Sequence, residues 1–361
     1  MKKKQIYIIA EAGVNHNGSM DMARKLIREG AEAGVNAVKF QTFRPENLVT
    51  QTAEKAAYQK ETTGIQESQL DMLRKLTLQD DDYLELQHLC KECGVEFIST
   101  PFDSDSLHFL ITQCDMPFIK VSSGEISNAP FLFEIARTGK PVVLSTGMAT
   151  LGEVEKALAV LSYGYLQVEF PSSYQEVQRV YVSQEGQNIL RDKVQLLHCT
   201  TQYPASVNQV NLKAMETLKS AFGLSVGYSD HTEGIAVPVA AAARGAVIIE
   251  KHFTLDKSLA GPDHKASLDI NELRKMVKSI RNVEQAIGSG GKIPALEEQF
   301  NIDIVRKSLV AKDNIAKGDT FSLRNLAAKR DGTGISPMDI WDVLGKKAER
   351  SYQKDEKIVI R

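Results

Sequence analysis

The sequence predicts an α/β fold, a (β/α)8 barrel, followed by a small α+β domain, and three observations carry this. As far as residue 249, eight short apolar, β-branched runs recur, each ending in polar residues and most followed by a helical pattern. The runs are continuously apolar rather than alternating, as in parallel strands buried on both faces. A Gly-Ser-Gly-Gly stretch at 288–291 then breaks the pattern, and beyond Arg306 the character changes to short runs and turns.

The runs fall at residues 6–10, 37–40, 96–98, 118–121, 141–144, 194–197, 224–227 and 246–249. Residues 234–244, rich in alanine, form the crossover helix between the last two, and a parallel pair needs such a crossover. Residues 80–93 read as another helix. The loop 43–70 follows the second strand, so it lies on the face where barrels of this kind do their chemistry. It is long and polar, with Tyr58, Gln59 and Gln66, and is expected to act as a lid or a sugar-contacting arm. The polar insertion 167–192 follows a helix, so it is expected on the opposite face, without chemistry. The barrel is placed at 1–287, a linker arm at 288–305 and the tail domain at 306–361. The tail carries a short strand near Val310, the loop KRDGTGISP from Lys329 to Pro337, and a closing strand at 357–360.

Composition narrows the class. With 42% apolar residues the chain can bury a large core, and a net charge of −2 gives no basic footprint for nucleic acid. The apolar run after Met1-Lys2-Lys3-Lys4 meets Glu11 too soon for a secretory or membrane-spanning segment. The four cysteines form no disulfide framework, which predicts a reducing cytoplasm. Cys90 and Cys93 lack a second pair and read as plain thiols rather than metal ligands.

Active sites of such barrels sit at the carboxyl ends of the strands. There the chain places Glu11, Lys39, Gln41, Thr100, Lys120, Ser123, Glu125, Ser145, Thr201, Tyr203, Ser229, His231 and His252. His231 and His252 follow the last two runs, so two imidazoles emerge side by side, with Asp230, Glu250 and Asp263 nearby. That suits a divalent metal with positions left open for substrate. A histidine at a strand end serves equally as a hydrogen-bonded core residue, and the spacing leaves both readings open.

The strings IAEAGVNHNG (from Ile9), KFQTF (Lys39), STPFD (Ser99), IKVSSGE (Ile119) and LSTGM (Leu144) resemble motifs of the sialic acid synthase family. So do LLHCTTQYP (Leu196), GYSDHT (Gly227), EKHFT (Glu250) and GPDH (Gly261), in the same order, and the tail resembles that family's antifreeze-like SAF domain. The likeness spans nearly the whole chain and is nearest to the bacterial branch. It implies condensation of phosphoenolpyruvate with an open-chain N-acetylmannosamine-type sugar to give N-acetylneuraminate and phosphate. The alternative product is N,N'-diacetyllegionaminate, from 2,4-diacetamido-2,4,6-trideoxymannose.

The resemblance also implies roles. His231 and His252 correspond to ligands of a divalent ion, Mn2+ first, with Mg2+ or Co2+ as substitutes. Lys39, Thr100, Lys120, Ser123, Ser145, Thr201 and Ser229 correspond to the phosphoenolpyruvate grip. Gln41, Tyr203, Asp263 and Arg330 correspond to sugar contacts, Arg330 reaching in from the partner of a domain-swapped homodimer. Glu11 and Glu125 correspond to catalytic acidic residues. The chemistry agrees: a substrate with a phosphate and a carboxylate needs two lysines and several hydroxyl donors. Forming the carbon–carbon bond places negative charge on the aldehyde oxygen, which a metal stabilises, and positive charge on the enol carbon, which a carboxylate stabilises. Two departures stand out. The family's KRPGNG reads KRDGTG here, which predicts a less rigid loop at Arg330, and Thr201 replaces an asparagine. A glycan-binding protein with an inert barrel would have no use for both lysines and both histidines.

Overall fold

A computed structural model describes residues 5–55, 59 and 68–360, and divides into two compact units, Met1–Gly288 and Ser289–Arg361. In the first unit all eight predicted runs are parallel strands: β1 Tyr7–Gly13, β2 Ala37–Thr42, β3 Glu96–Pro101, β4 Ile119–Val121, β5 Val142–Ser145, β6 Val194–Cys199, β7 Ser225–Asp230 and β8 Ile248–His252. Their order is β3-β2-β1-β8-β7-β6-β5-β4, with β3 and β4 side by side where the ring closes.

Among the described residues the strands are covered by α1 Met20–Ala33, α2 Asp80–Glu92, α3 Ser104–Gln113, α4 Ala129–Arg137, α5 Leu151–Leu166, α6 Ala214–Phe222, α7 Ala236–Ala243 and α8 Ile270–Ala286. Local chemistry sets their ends. On α8, Asp269 accepts from the Glu272 amide at 2.8 Å while Glu272 accepts from the Asp269 amide at 2.9 Å, a reciprocal cap. Thr150 and Glu153 do the same for α5. On α1 the buried residues Ala23, Leu26, Ile27 and Gly30 recur at helical spacing and make one apolar face.

Period-two alternation along the strands builds the site. One set of positions, Ile9, Ala37, Ile98, Val143, Leu197 and Ile248, forms an apolar plug inside the barrel. Two residues further along the same strands the inward positions are Glu11, Lys39, Thr100, Ser145, Cys199 and Glu250. Several strands run on past the predicted ends, so these polar residues are held within strands rather than in loops.

Cys90 is buried on α2, and all four cysteines are free thiols. The insertion before β6 folds as two helices, Tyr174–Tyr181 and Gln184–Lys193, and contributes nothing to the cavity described below. Tyr58 and Gln66 of the predicted arm lie outside the described residues.

The second unit has its own core, with Leu309, Phe321, Leu326, Val343, Tyr352 and Ile358 buried together. Strands β9 Lys307–Ala311 and β10 Leu326–Arg330 pair antiparallel, and helix Leu296–Val305 precedes them. The predicted closing strand at 357–360 is a correction: Lys357 makes one isolated bridge to Val310 and no strand forms.

Candidate active site

A cavity of about 410 Å³ opens at the carboxyl ends of the strands. Every predicted site residue of the barrel except Glu125 lines it. Three groups of side chains give it its chemistry.

The first is a cationic floor. The Lys39 ammonium donates to Thr100 Oγ1 at 3.1 Å and is ion-paired with Glu11, its neighbour in the β1–β2 register. The Lys120 ammonium donates to Ser145 Oγ at 2.8 Å. Glu250 sits between the lysines, with Oε1 3.5 Å from Lys120 and Oε2 3.7 Å from Lys39, and accepts from Ser229 Oγ at 2.8 Å. Two ammonium groups are thus balanced by two carboxylates, and hydroxyls surround them. Glu250 was legible only as an acidic neighbour of His252; its place as shared counter-ion follows from its inward position on β8.

The two carboxylates differ. Burial acts to raise Glu250, but Lys120, Lys39 and the Ser229 hydroxyl outweigh it and bring the group down to about 2. For Glu11 burial prevails over Lys39, with Glu250 adding repulsion, and the group is pushed up to about 7. Ionised Glu250 therefore stabilises the fold above its ordinary value of 4.5, and that contribution is lost as pH falls towards 2. Glu250→Gln is expected to cost up to about 3 kcal/mol at pH 7. Urea unfolding at pH 7 and pH 2.5 should show the gap to wild type closing at the lower pH, and a constant gap would remove this account.

The second group is the histidine pair, with ring centroids 5.6 Å apart. His231 Nδ1 lies 2.7 Å from the Thr200 carbonyl. A carbonyl only accepts, so Nδ1 carries the proton and Nε2 the lone pair. His252 Nδ1 is buried with no hydrogen-bond partner, 3.8 Å from Asp263. Burial, then the neighbouring His231 and Lys39, holds His252 well below its ordinary value, so the ring is neutral. Burial pushes Asp263 up to about 6. Two neutral imidazoles with available lone pairs fit a divalent ion. No third histidine, cysteine, aspartate or glutamate completes a closed cage among the described residues, so an ion held there would keep positions open for oxygen ligands.

The third group sets shape. Gly13 has φ +53°, at an irregularity in the β1–β2 register, and a Cβ there would meet Glu11 at 3.0 Å and Gln41 at 3.3 Å. At Gly147 a Cβ would lie 2.2 Å from Thr201 Oγ1 and 2.8 Å from both Cys199 Sγ and Ser123 Oγ. The Gly147 amide instead donates to Ser123 Oγ at 2.9 Å. The Tyr203 ring packs 4.2 Å from His231 and 5.8 Å from His252.

Comparison with known proteins shows the family. The NeuB family model covers residues 26–292 and the SAF domain model residues 306–359. The chain belongs to the NeuB family. It is 48% identical to the N,N'-diacetyllegionaminic acid synthase of Campylobacter jejuni over 98% of this chain and 99% of that protein. It is 44% identical to the N,N'-diacetyllegionaminic acid synthase of Legionella pneumophila, over 94% of this chain and 90% of that one. The crystal structure of N-acetylneuraminic acid (sialic acid) synthetase from Leptospira borgpetersenii, in complex with citrate, aligns with a TM-score of 0.65. That protein is 31% identical, over 82% of this chain and 90% of its own.

Of the expected residues of this NeuB-family chain, Glu125 does not line the cavity and Arg330 belongs to the second unit. Glu125 ends a 3-10 turn, Ser123–Glu125, and its carboxylate accepts from Asn128 at 2.8 Å instead of lining the cavity. Arg330 is exposed at the end of β10 in the second unit. Its loop is restrained, because Asp331 and Thr333, which stand where the family pattern has proline and asparagine, bond each other. Thr333 Oγ1 donates to Asp331 Oδ1 at 2.6 Å, and Lys357 donates to Thr333 at 2.8 Å while pairing with Asp331 at 3.1 Å. The Gly332 amide adds a bond to the Asp303 carbonyl at 2.7 Å.

Proposed function

We propose that this chain is a nonulosonic acid synthase that condenses phosphoenolpyruvate with open-chain 2,4-diacetamido-2,4,6-trideoxymannose, giving N,N'-diacetyllegionaminate and phosphate. The observation that carries the reaction class is the pair of hydroxyl-backed lysines, Lys39 with Thr100 and Lys120 with Ser145, facing two neutral imidazoles across one cavity. The preference for the diacetamido sugar over N-acetylmannosamine rests on identities of 48% and 44% to legionaminic acid synthases, against 31% to the sialic acid synthetase.

The lysines and their hydroxyls hold the phosphate and carboxylate, displacing Glu250 and Glu11 as counter-ions. The methylene carbon of the enol then bonds to the aldehyde carbon, and the aldehyde oxygen takes a proton to become a hydroxyl. Water adds to the positive enol carbon, the carbon–oxygen bond to phosphate breaks, and the 2-keto acid remains. Glu11, held near 7, is suited to exchange a proton at neutral pH. His231 and His252 would hold the divalent ion, Mn2+ or in its place Mg2+ or Co2+, which when bound supplies Lewis-acid stabilisation of charge on the aldehyde oxygen.

The test is to mix the protein, Mn2+ and phosphoenolpyruvate with each sugar and follow both phosphate and keto acid. The expected result is turnover with kcat/KM about tenfold or more higher for the diacetamido sugar. A preference for N-acetylmannosamine would reverse the choice of sugar, and silence with both would remove the reaction.

The chain is further proposed to work in the cytoplasm, in keeping with its four free thiols, and as a homodimer. Supporting the dimer, Leu296, Phe300 and Ile304 form one stripe of helix Leu296–Val305 and are 69%, 76% and 68% exposed. If Arg330 serves the partner's barrel, mixing inactive Arg330→Ala and His252→Ala chains should restore about one quarter of wild-type activity after random exchange. No recovery after proven exchange counts against shared sites.

A further inference from the structure

One charged pair lies on the outward side of the strands, behind the cavity. Asp230 and Lys251 stand opposite each other in the β7–β8 ladder, with Nζ–Oδ2 at 2.6 Å and both side chains 0% exposed. The Asp230 carboxylate also accepts from the Tyr228 hydroxyl at 3.0 Å, from the Thr232 amide at 3.1 Å and from the Thr232 hydroxyl at 3.0 Å. Lys251 donates a second bond to the Thr232 carbonyl. All these bonds close around the turn that carries His231, whose own carbonyl accepts from the Ala205 amide at 2.8 Å.

A buried ion pair is a poor source of stability, because desolvation offsets the attraction. Its position is more telling. Asp230 precedes His231 and Lys251 precedes His252, so one bond ties together the two backbone segments that present the imidazoles. Saturation also turns the Asp230 carboxylate away from the cavity and keeps it from competing as a ligand. We propose that Asp230 and Lys251, with Thr232, are positioning residues that fix the spacing of His231 and His252 for a shared divalent cation. This rests on the metal reading proposed above.

The test measures cation binding directly, without substrate. Mn2+ is titrated onto the full chain and the free ion is followed by electron paramagnetic resonance, while phosphoenolpyruvate affinity is measured separately by calorimetry. Asp230→Asn with Lys251→Met removes both charges and leaves neither stranded. It is expected to weaken Mn2+ binding by about 10- to 100-fold, the usual effect of losing a residue that orients a ligand. Phosphoenolpyruvate affinity should stay within about twofold, since Lys39, Thr100, Lys120 and Ser145 stand on β2 to β5 and only Ser229 of its proposed contacts adjoins the pair. Should that variant not fold, Thr232→Val keeps the shape, removes the hydroxyl contacts to Asp230, and is expected to weaken Mn2+ about threefold or more. Unchanged Mn2+ affinity in a folded variant overturns the positioning role and leaves the metal reading standing. Equal loss of both affinities marks general loosening and also overturns it. A wild-type chain that binds no Mn2+ and turns over fully in chelator, with no divalent ion present, overturns the metal reading and this inference with it.

Discussion

Lys120→Met is expected to lower kcat/KM for phosphoenolpyruvate by about 10²- to 10³-fold while the sugar KM moves little. Methionine keeps the length and apolar stem of lysine, so packing around this 3% exposed side chain survives. The ammonium does not. It stands 2.8 Å from Ser145 Oγ and 3.5 Å from Glu250 Oε1, and burial draws it below its ordinary value while Glu250 opposes that shift. Without it Glu250 loses half of its counter-charge and faces the incoming anion with its own charge uncancelled. Losing one dedicated electrostatic donor costs about 3–4 kcal/mol of the barrier, and a tenfold rate change corresponds to about 1.4 kcal/mol, which gives the stated loss. Steady-state phosphate release over a range of phosphoenolpyruvate concentrations is the measurement. A wild-type KM for phosphoenolpyruvate would show that the floor of the cavity does not hold this substrate.

The barrel was legible because its strands are written twice in the sequence, as apolar runs and as polar ends at the same offset. Lys39, Thr100, Ser145 and His252 could each be assigned to the mouth for that reason. Period two then carries them inward above the plug of Ile9, Ile98, Val143 and Leu197. What the pattern does not encode is which charged residues are buried and with whom. Glu250 reads as one more acid beside a histidine until the ladder sets it opposite Ser229, between two lysines. Asp230 reads as one more acid beside the histidines and Lys251 carries no assignment, yet the two are fully buried and paired with each other. Glu125 is not among the residues lining the cavity; it closes a short 3-10 turn, and its carboxylate accepts from Asn128. In the tail, loss of proline and asparagine predicts a looser loop, and the Asp331–Thr333–Lys357 bonds, one of them from 24 residues away, restrain it instead. The Glu250–Ser229 and Asp230–Lys251 contacts join different strands, which local spacing cannot carry.

His252→Ala is expected to abolish Mn2+ binding and to cut kcat by about 10²- to 10³-fold, with phosphoenolpyruvate affinity retained. The ring is the last side chain of β8 and is neutral, with Nδ1 lacking any hydrogen-bond partner. Removing it therefore breaks no hydrogen bond at that atom. The backbone tie of this position, from the Leu268 amide to the His252 carbonyl at 2.9 Å, does not depend on the side chain. The melting temperature should accordingly fall by only a few degrees, about what 1–2 kcal/mol produces in a domain of this size. The cost falls on chemistry. Charge on the aldehyde oxygen during bond formation would have to be carried by neighbouring donors alone, and losing a dedicated electrostatic stabiliser usually costs 10²- to 10³-fold in kcat. Of the proposed phosphoenolpyruvate contacts, Lys39, Thr100, Lys120 and Ser145 stand on β2 to β5 and are untouched by the change, so calorimetry with this substrate should give an affinity near that of wild type. Wild-type enzyme treated with chelator should fall to the same residual rate, and the two losses should not multiply when combined. Multiplying losses, or full turnover in either case, would separate His252 from the cation and return it to the status of a buried core histidine.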